Sequence, residues 1–164
     1  MVVSSPPRNF RPDKFAGAGR IGSLFDPSAM AIMAAFTTPA TMARQQLINT
    51  LVVALKAGGT SSIWSNSDVI YVLAAADSQA ALINWRNPGT FNATAVNSPT
   101  HKVDRGFTGD GASSRVDTGW TPSTNGIKYI RDNASAWAWS LASGQHNTGL
   151  IGNVTAPRLQ LFAR

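Results

Sequence analysis

The sequence predicts an α+β fold: an extended N-terminal arm, one long amphipathic helix with short helices, then an antiparallel β-sandwich that this chain leaves incomplete. Three observations carry this. Thr41–Ala57 follows a threonine and a proline, runs to Gly58-Gly59, and spaces its apolar residues as a helix does. Asp104–Thr121 is punctuated by Gly106, Gly109, Gly111 and Gly119, with acids at Asp104, Asp110 and Asp117 between them. Beyond it come only short apolar runs separated by turn signals, the pattern of strands. The chain therefore divides into an anchoring arm at 1–26, a helical and mixed segment at 27–100, and a β-sandwich portion at 101–164.

The arm holds Pro6, Pro7, Pro12, Gly17, Gly19 and Gly22, and of its larger apolar side chains only Leu24 and Phe25 are adjacent. Such a segment buries too little to order itself. Single aromatics in an extended basic arm suit docking on a partner. Arg8, Phe10, Arg11, Phe15 and Phe25 are accordingly the candidate partner-binding residues. A loose terminus is the plain alternative.

Asp26 or Ser28 caps a first short helix through Met33. Thr38 as N-cap and Pro39 as the first helical residue then open the long helix. Leu47, Ile48, Leu51, Val52 and Leu55 form its inward stripe, with Arg44, Gln45, Asn49 and Lys56 largely elsewhere. Its polar face has too few cations for a membrane-surface helix, so the stripe belongs to the protein's own core. Thr60–Asn66 is a loop carrying Trp64. Asp68–Ala75 has the β-branched and aromatic bias of a buried strand, at a length that suits a helix as well. Asp77 or Ser78 caps a short helix through Trp85, which Pro88-Gly89 ends, and Thr90–Thr100 reads as an extended connector.

In Asp104–Thr121, Gly109-Asp110-Gly111 is a turn by mechanism: glycine permits positive φ, and an aspartate can bond its own downstream backbone. Asp104–Phe107 and Ser114–Gly119 are the two strands it would join. Further strands are expected at Arg115–Thr118, Tyr129–Ile130, Ala134–Leu141, Gly149–Asn153 and Arg158–Ala163. Trp137 and Trp139, two apart, share one face of such a strand, as part of a wide core or as an exposed aromatic strip.

Residues 107–119 have the form F-x-G-D-G-x-x-S-x-x-D-T-G and precede a Trp-containing strand. This resembles the opening of a laminin-G-like (concanavalin-like) jelly roll. Tyr71–Trp85, continuing through Asn87-Pro88-Gly89-Thr90 and Ala95–Pro99, is similar to segments preceding such jelly rolls in structural proteins of tailed phages and prophages. The resemblance implies a location in the virion and a structural, non-enzymatic role as a fibre, spike, or tail or capsid attachment component. Its partners would be other virion proteins and further copies of this chain, as a homo-oligomer. It implies as an alternative a carbohydrate-binding module that recognises a host surface glycan. Trp120, Trp137 and Trp139 would then be the glycan contacts, with Gln145 and Asn147 nearby. Jelly rolls of this broad class sometimes bind calcium through loop carboxylates, for which Asp104, Asp110 and Asp117 are the residues in question; turn stabilisation accounts for them too.

The chain has 164 residues, enough for one domain or a small domain with an arm. Only 13% are charged, against about 25% in ordinary domains. A surface poor in charge and rich in small polar groups suits permanent contact with other subunits; a weakly charged soluble domain is the plainer reading. All eight acids are aspartates, and the net charge of +6 is spread without runs, so no specific nucleic-acid groove is expected. Absent cysteine excludes disulfides and thiolate chemistry. Pro6, Pro7 and Arg8 come too early for a signal peptide, and no apolar run approaches the about 20 residues of a membrane span. A soluble protein without membrane insertion is expected.

His101 and His146 each lie in a polar stretch without a ligand-spaced partner, and no P-loop, nucleophile elbow, zinc-protease or dinucleotide motif occurs. No catalytic residue, cofactor or metal site is therefore assigned. One expectation concerns the sandwich itself. Two full sheets ordinarily take about 100 residues or more, whereas the β-region runs only from Lys102 to Arg164. Other copies, other virion proteins, or further chain would complete it, covering Trp137, Trp139 and Phe162.

Overall fold

A computed structural model describes residues 25–139 and the backbone of 151–152 and 160–161. They form a mixed helix-and-sheet structure in which each sheet is an antiparallel pair of short strands. Helix α1 (Pro27–Ala34) starts at Asp26, whose carboxylate accepts from the Ser28 N–H at 2.8 Å. Helix α2 (Met42–Lys56) begins later than Thr38-Pro39 suggests. Thr41 is the N-cap, accepting from the Arg44 N–H, while the Ala40 carbonyl is taken by the Gln45 side chain at 2.8 Å. The two helices are pinned at one end. Asp26 donates its N–H to Asn49 Oδ1 at 2.7 Å, and Lys56 Nζ reaches Asp26 Oδ1 at 2.6 Å and Ser28 Oγ at 2.7 Å.

The buried face of α2 is narrower than the expected stripe and rolled away from it. Ile48 and Val52 are buried and Leu55 packs partly on the core, but Leu47 is 69% exposed and Leu51 39%. Arg44 and Lys56, the only charges on the helix, pair with Asp104 and Asp26 of the same chain. The roll that brings these cations inward carries Leu47 and Leu51 outward.

Ala29, Ile32, Ile48, Val52, Trp64, Ile70, Ile83 and Trp85 make the core cluster. Trp64 donates its N–H to the Leu55 carbonyl at 2.9 Å, and Lys56 and Arg86 each stand over its ring at 5.2 Å. Helix α3 (Ser78–Ala81) is capped by Asp77, which accepts from the Ala80 N–H at 2.8 Å. Gln79 ties it to the end of α1 by donating to the Ala35 carbonyl and accepting from the Thr37 N–H.

α3 stops at Ala81 and does not reach Trp85, because the chain there turns about Asn84. This side chain, 1% exposed, accepts from the N–H groups of Ile70 and Arg86 and donates to the Thr90 carbonyl. A buried amide with such partners offers the backbone an alternative to helix. The same bonds explain why Asp68–Ala75 is neither strand nor helix. Ile70 spends its N–H on Asn84 and its carbonyl on Trp85, leaving one isolated bridge, Tyr71 with Asn84. Phe91 sits at φ 54, a left-handed conformation costing a bulky residue roughly 1–2 kcal/mol. The Tyr71 hydroxyl, donating to the Phe91 carbonyl, helps hold it there. Burial pushes that hydroxyl's pKa up to about 12, against a smaller downward pull from Thr118, so it stays a donor at neutral pH.

The β-part begins earlier than Lys102, since the presumed connector supplies β1 (Thr94–Val96). β2 (Thr100–Lys102) pairs with β3 (Gly106–Thr108), and β1 pairs with β4 (Arg115–Asp117). The two ladders are nested, one inside the other. Gly109-Asp110-Gly111 therefore does not join two paired strands, because residues 109–114 form a wide loop on the outer limb. A short helix α4 (Pro122–Asn125) follows, and β5 (Ile151–Gly152) pairs with β6 (Gln160–Leu161). Tyr129–Ile130 contributes only an isolated bridge from Ile130 to Asn133, and 134–139 is not strand. Among the described residues no helix is long and apolar enough to cross a membrane.

Replacing Ile48 by Ala should cost roughly 2–5 kcal/mol in chemical denaturation, since a buried side chain is lost. Leu51→Ala, at a half-open position, should stay far nearer the about 0.5 kcal/mol of ordinary surface changes. The reverse ranking would show that α2 packs through the other face.

Candidate functional site

Every buried hydrophobic residue described lies between Ala29 and Ala93. From Thr94 to Trp139 the described chain has no apolar core of its own and is held by polar clamps. The first is at the tip of the β2–β3 hairpin. Asp104, at φ 57, accepts a fork from Arg44 at 2.8 and 3.1 Å and donates its N–H to the Ala75 carbonyl at 3.0 Å. Gly106 follows at φ 98, with its α-carbon against Leu73; an added Cβ would stand 3.5 Å from the Leu73 Cβ. The Arg44 guanidinium holds the Asp104 carboxyl below its ordinary pKa, and is itself raised by Asp104.

The second clamp is Asp68, whose carboxylate accepts the N–H groups of Ile127, Lys128 and Tyr129 at 2.9–3.1 Å. It fixes the turn after α4, where Gly126 leaves no room for a side chain: an added Cβ would fall 2.4 Å from the Tyr129 carbonyl oxygen. Neither Asp68 nor Asn84 is singled out in the sequence reading. Their signal is weak, since a lone Asp or Asn among many polar loop residues looks like any turn former. Only Asn87-Pro88-Gly89 beside Asn84 hints at an ordered loop.

Asp110 closes the wide loop on itself. Its Oδ1 accepts the N–H groups of Ala112, Ser113 and Ser114 at 2.9 Å and the Ser114 hydroxyl at the same distance, while Ser114 Oγ accepts from the Asp110 N–H at 2.7 Å. These backbone donors, Ser114 first, drive the Asp110 pKa far below the usual carboxylate range. They also consume the donors that a ladder across Gly109-Asp110-Gly111 would need. Asp117 accepts from the Gly119 N–H and lies 3.8 Å from Arg115. The three aspartates are thus engaged separately. Among the described residues no group of three or more His, Cys, Asp or Glu could hold a metal ion.

His101 is on β2, half-buried and edge-on to Phe107 with ring centroids 4.9 Å apart, rather than in a polar loop. His146 lies outside the described residues, as do Arg8, Phe10, Arg11, Phe15, Gln145, Asn147 and Phe162. Phe25 is half-buried at the entrance to α1. Trp120 packs edge-on against Tyr129 with centroids 5.7 Å apart, so its ring is engaged within the chain. Tyr129 also lines an open groove of about 310 Å³ with Pro122, Ser123, Ile130 and Arg131. Trp137 and Trp139 are 61% and 87% exposed. The structure thus separates the proposed tryptophan trio into one packed ring and two open ones. Compared with known proteins, the chain matches no family model, no curated protein and no solved structure.

The lowered pKa values of Asp104 and Asp110 give a signed pH dependence. A depressed carboxyl contributes stability above its unfolded pKa, about 3.9, that is lost as pH falls through the lower folded value. The amide signals of Ala112, Ser113 and Ser114 should therefore hold constant from pH 7 to about pH 4 and move only in stronger acid. Asp110→Asn should raise hydrogen exchange at those amides and leave the Val52 amide protected. Titration of the loop near the ordinary aspartate value would contradict the closed geometry.

Proposed function

We propose that this chain is a non-enzymatic virion structural protein of a tailed phage or phage-like particle. It acts as a fibre, spike, or tail or capsid attachment component, anchored by its N-terminal part and oligomerising through its β-part. The observation that carries this reading is the absence of any buried hydrophobic residue between Thr94 and Trp139, combined with open two-stranded ladders. A protein meant to stand alone covers its strand edges and buries its large aromatics. Here Trp137 and Trp139 stand open, and so do Ile127 and Ile130. Contact with neighbouring subunits in a sandwich assembled from several chains would cover them. The resemblance of residues 107–119 to a jelly-roll opening and of Tyr71–Pro99 to phage structural proteins supplies the particle.

A second reading uses the same tryptophans. Two open indoles suit stacking against sugar rings, and an open groove bordered by Tyr129, Ser123 and Arg131 offers polar partners. In that case the chain is a carbohydrate-binding module for a host surface glycan.

Proteomic analysis of purified particles from cells that make the chain tests the first reading. The chain should copurify at a fixed ratio to the other particle proteins through a density gradient; its absence from intact particles would refute a virion role. Glycan-array binding that is lost in Trp137→Ala and Trp139→Ala, with no particle association, would select the second.

A further inference from the structure

Asn125-Gly126 is the chain's single asparagine-glycine pair, and it sits where α4 ends, just ahead of the backbone that Asp68 clamps. The local fold requires both residues. A Cβ at position 126 would collide with the carbonyl oxygens of Tyr129 and Pro122, so only glycine passes there. Asn125 closes the turn of α4 onto Thr121: its N–H donates to the Thr121 carbonyl at 2.8 Å, and its Oδ1 accepts the Thr121 N–H at 2.9 Å. Asparagine is chemically labile, and most so before glycine, where no Cβ shields the following amide nitrogen. Both residues are only half-buried, so water and hydroxide reach them.

The reaction is intramolecular. The Gly126 nitrogen, having lost its proton to hydroxide, attacks Asn125 Cγ. The new C–N bond forms as the Cγ–Nδ2 bond breaks, and ammonia leaves with a proton from water. Water then opens the succinimide at one of its two carbonyls, giving aspartate or, with the main chain rerouted through the side chain, isoaspartate. In the folded chain each reacting group is held. The Gly126 N–H donates to the Pro122 carbonyl at 3.1 Å, while the Asn125 amide is tied back to Thr121 at the other end of α4. Ring closure needs both bonds broken and the backbone at 125–126 turned. Asp68 opposes that turn by accepting the N–H groups of Ile127, Lys128 and Tyr129 at 2.9–3.1 Å. We propose that Asn125 is a deamidation site guarded by the Asp68 clamp: it is converted only when the clamp opens, and isoaspartate at 125 then keeps the clamp from closing. The rerouted main chain is longer by a methylene just before the three donors, which no longer converge on one carboxylate. The modification is therefore a one-way release of the turn after α4, and it is independent of the virion reading.

Ageing the full-length protein in mildly alkaline buffer tests this, with peptide mass spectrometry reading conversion at Asn125 and chromatography separating isoaspartate from aspartate. The native protein should convert at least about ten-fold more slowly than the same protein in urea, since the locally open form is the reactive one. Asp68→Ala should convert about ten-fold faster than the wild type, because loss of the accepting carboxylate raises the open population. Asn97, followed by serine and bonded to the Ser113 carbonyl, is read in the same digests. Its rate, and exchange at the Val52 amide, should not change in Asp68→Ala, which separates local release from general unfolding. Once isoaspartate has formed in the wild type, the amides of Ile127, Lys128 and Tyr129 should exchange as fast as they do in Asp68→Ala. Native conversion as fast as in urea, no acceleration in Asp68→Ala, equal acceleration at Asn97, or protected 127–129 amides in the isoaspartate form would each overturn the proposal.

Discussion

The buried amide of Asn84 determines the path of the chain between the helices and the strands. An amide at 1% exposure is tolerated only when its polar atoms are matched, and here the Ile70, Arg86 and Thr90 backbones match them. From that follow the halt of α3 at Ala81, the placement of Ile70 and Trp85 in the core, and the loop that hands the chain to β1. The Asn84 N–H in turn donates to Asn92 Oδ1, and the Ala93 N–H to the Leu82 carbonyl at 2.7 Å. Removing this side chain would strand backbone donors at several places together, a loss larger than that of one hydrogen bond.

Apolar burial and polar clamping divide the molecule. Residues 29–93 hold together by packing; the strands beyond are fastened to them through Asp104 with Arg44 and Ala75, and through Asp68 with the 127–129 backbone. Polar clamps at exposed sites fix geometry but contribute little net stability. The β-part is thus positioned without being enclosed. Its indoles at Trp137 and Trp139 and the uncharged outer face of α2 are two exposed surfaces among the described residues.

Local chemistry made part of this legible in the sequence. The Asp26 and Asp77 caps and the Asp110 turn all depend on a side chain bonding its own neighbourhood, which sequence reveals. What escaped depends on distant partners. The roll of α2 turns on Arg44 meeting Asp104, sixty residues away, and no periodicity within the helix reports that. The pairing of β1 with β4 was hidden for a related reason: Asp110 looked like the tip of a hairpin, whereas it ties off a side loop inside a larger one. Of the candidate site residues, Trp137 and Trp139 are open, Trp120 is packed on Tyr129, and the arm residues other than Phe25 lie outside the described chain.

The central claim is that the strands are held onto a core in which they take little part. Amide hydrogen exchange on the isolated chain tests this most directly. Protection should approach the global limit at Ile48, Val52, Ile70 and Trp85, and be far weaker across Thr94–Asp117. Equal, core-level protection of β1 to β4 in a monomer would contradict the account.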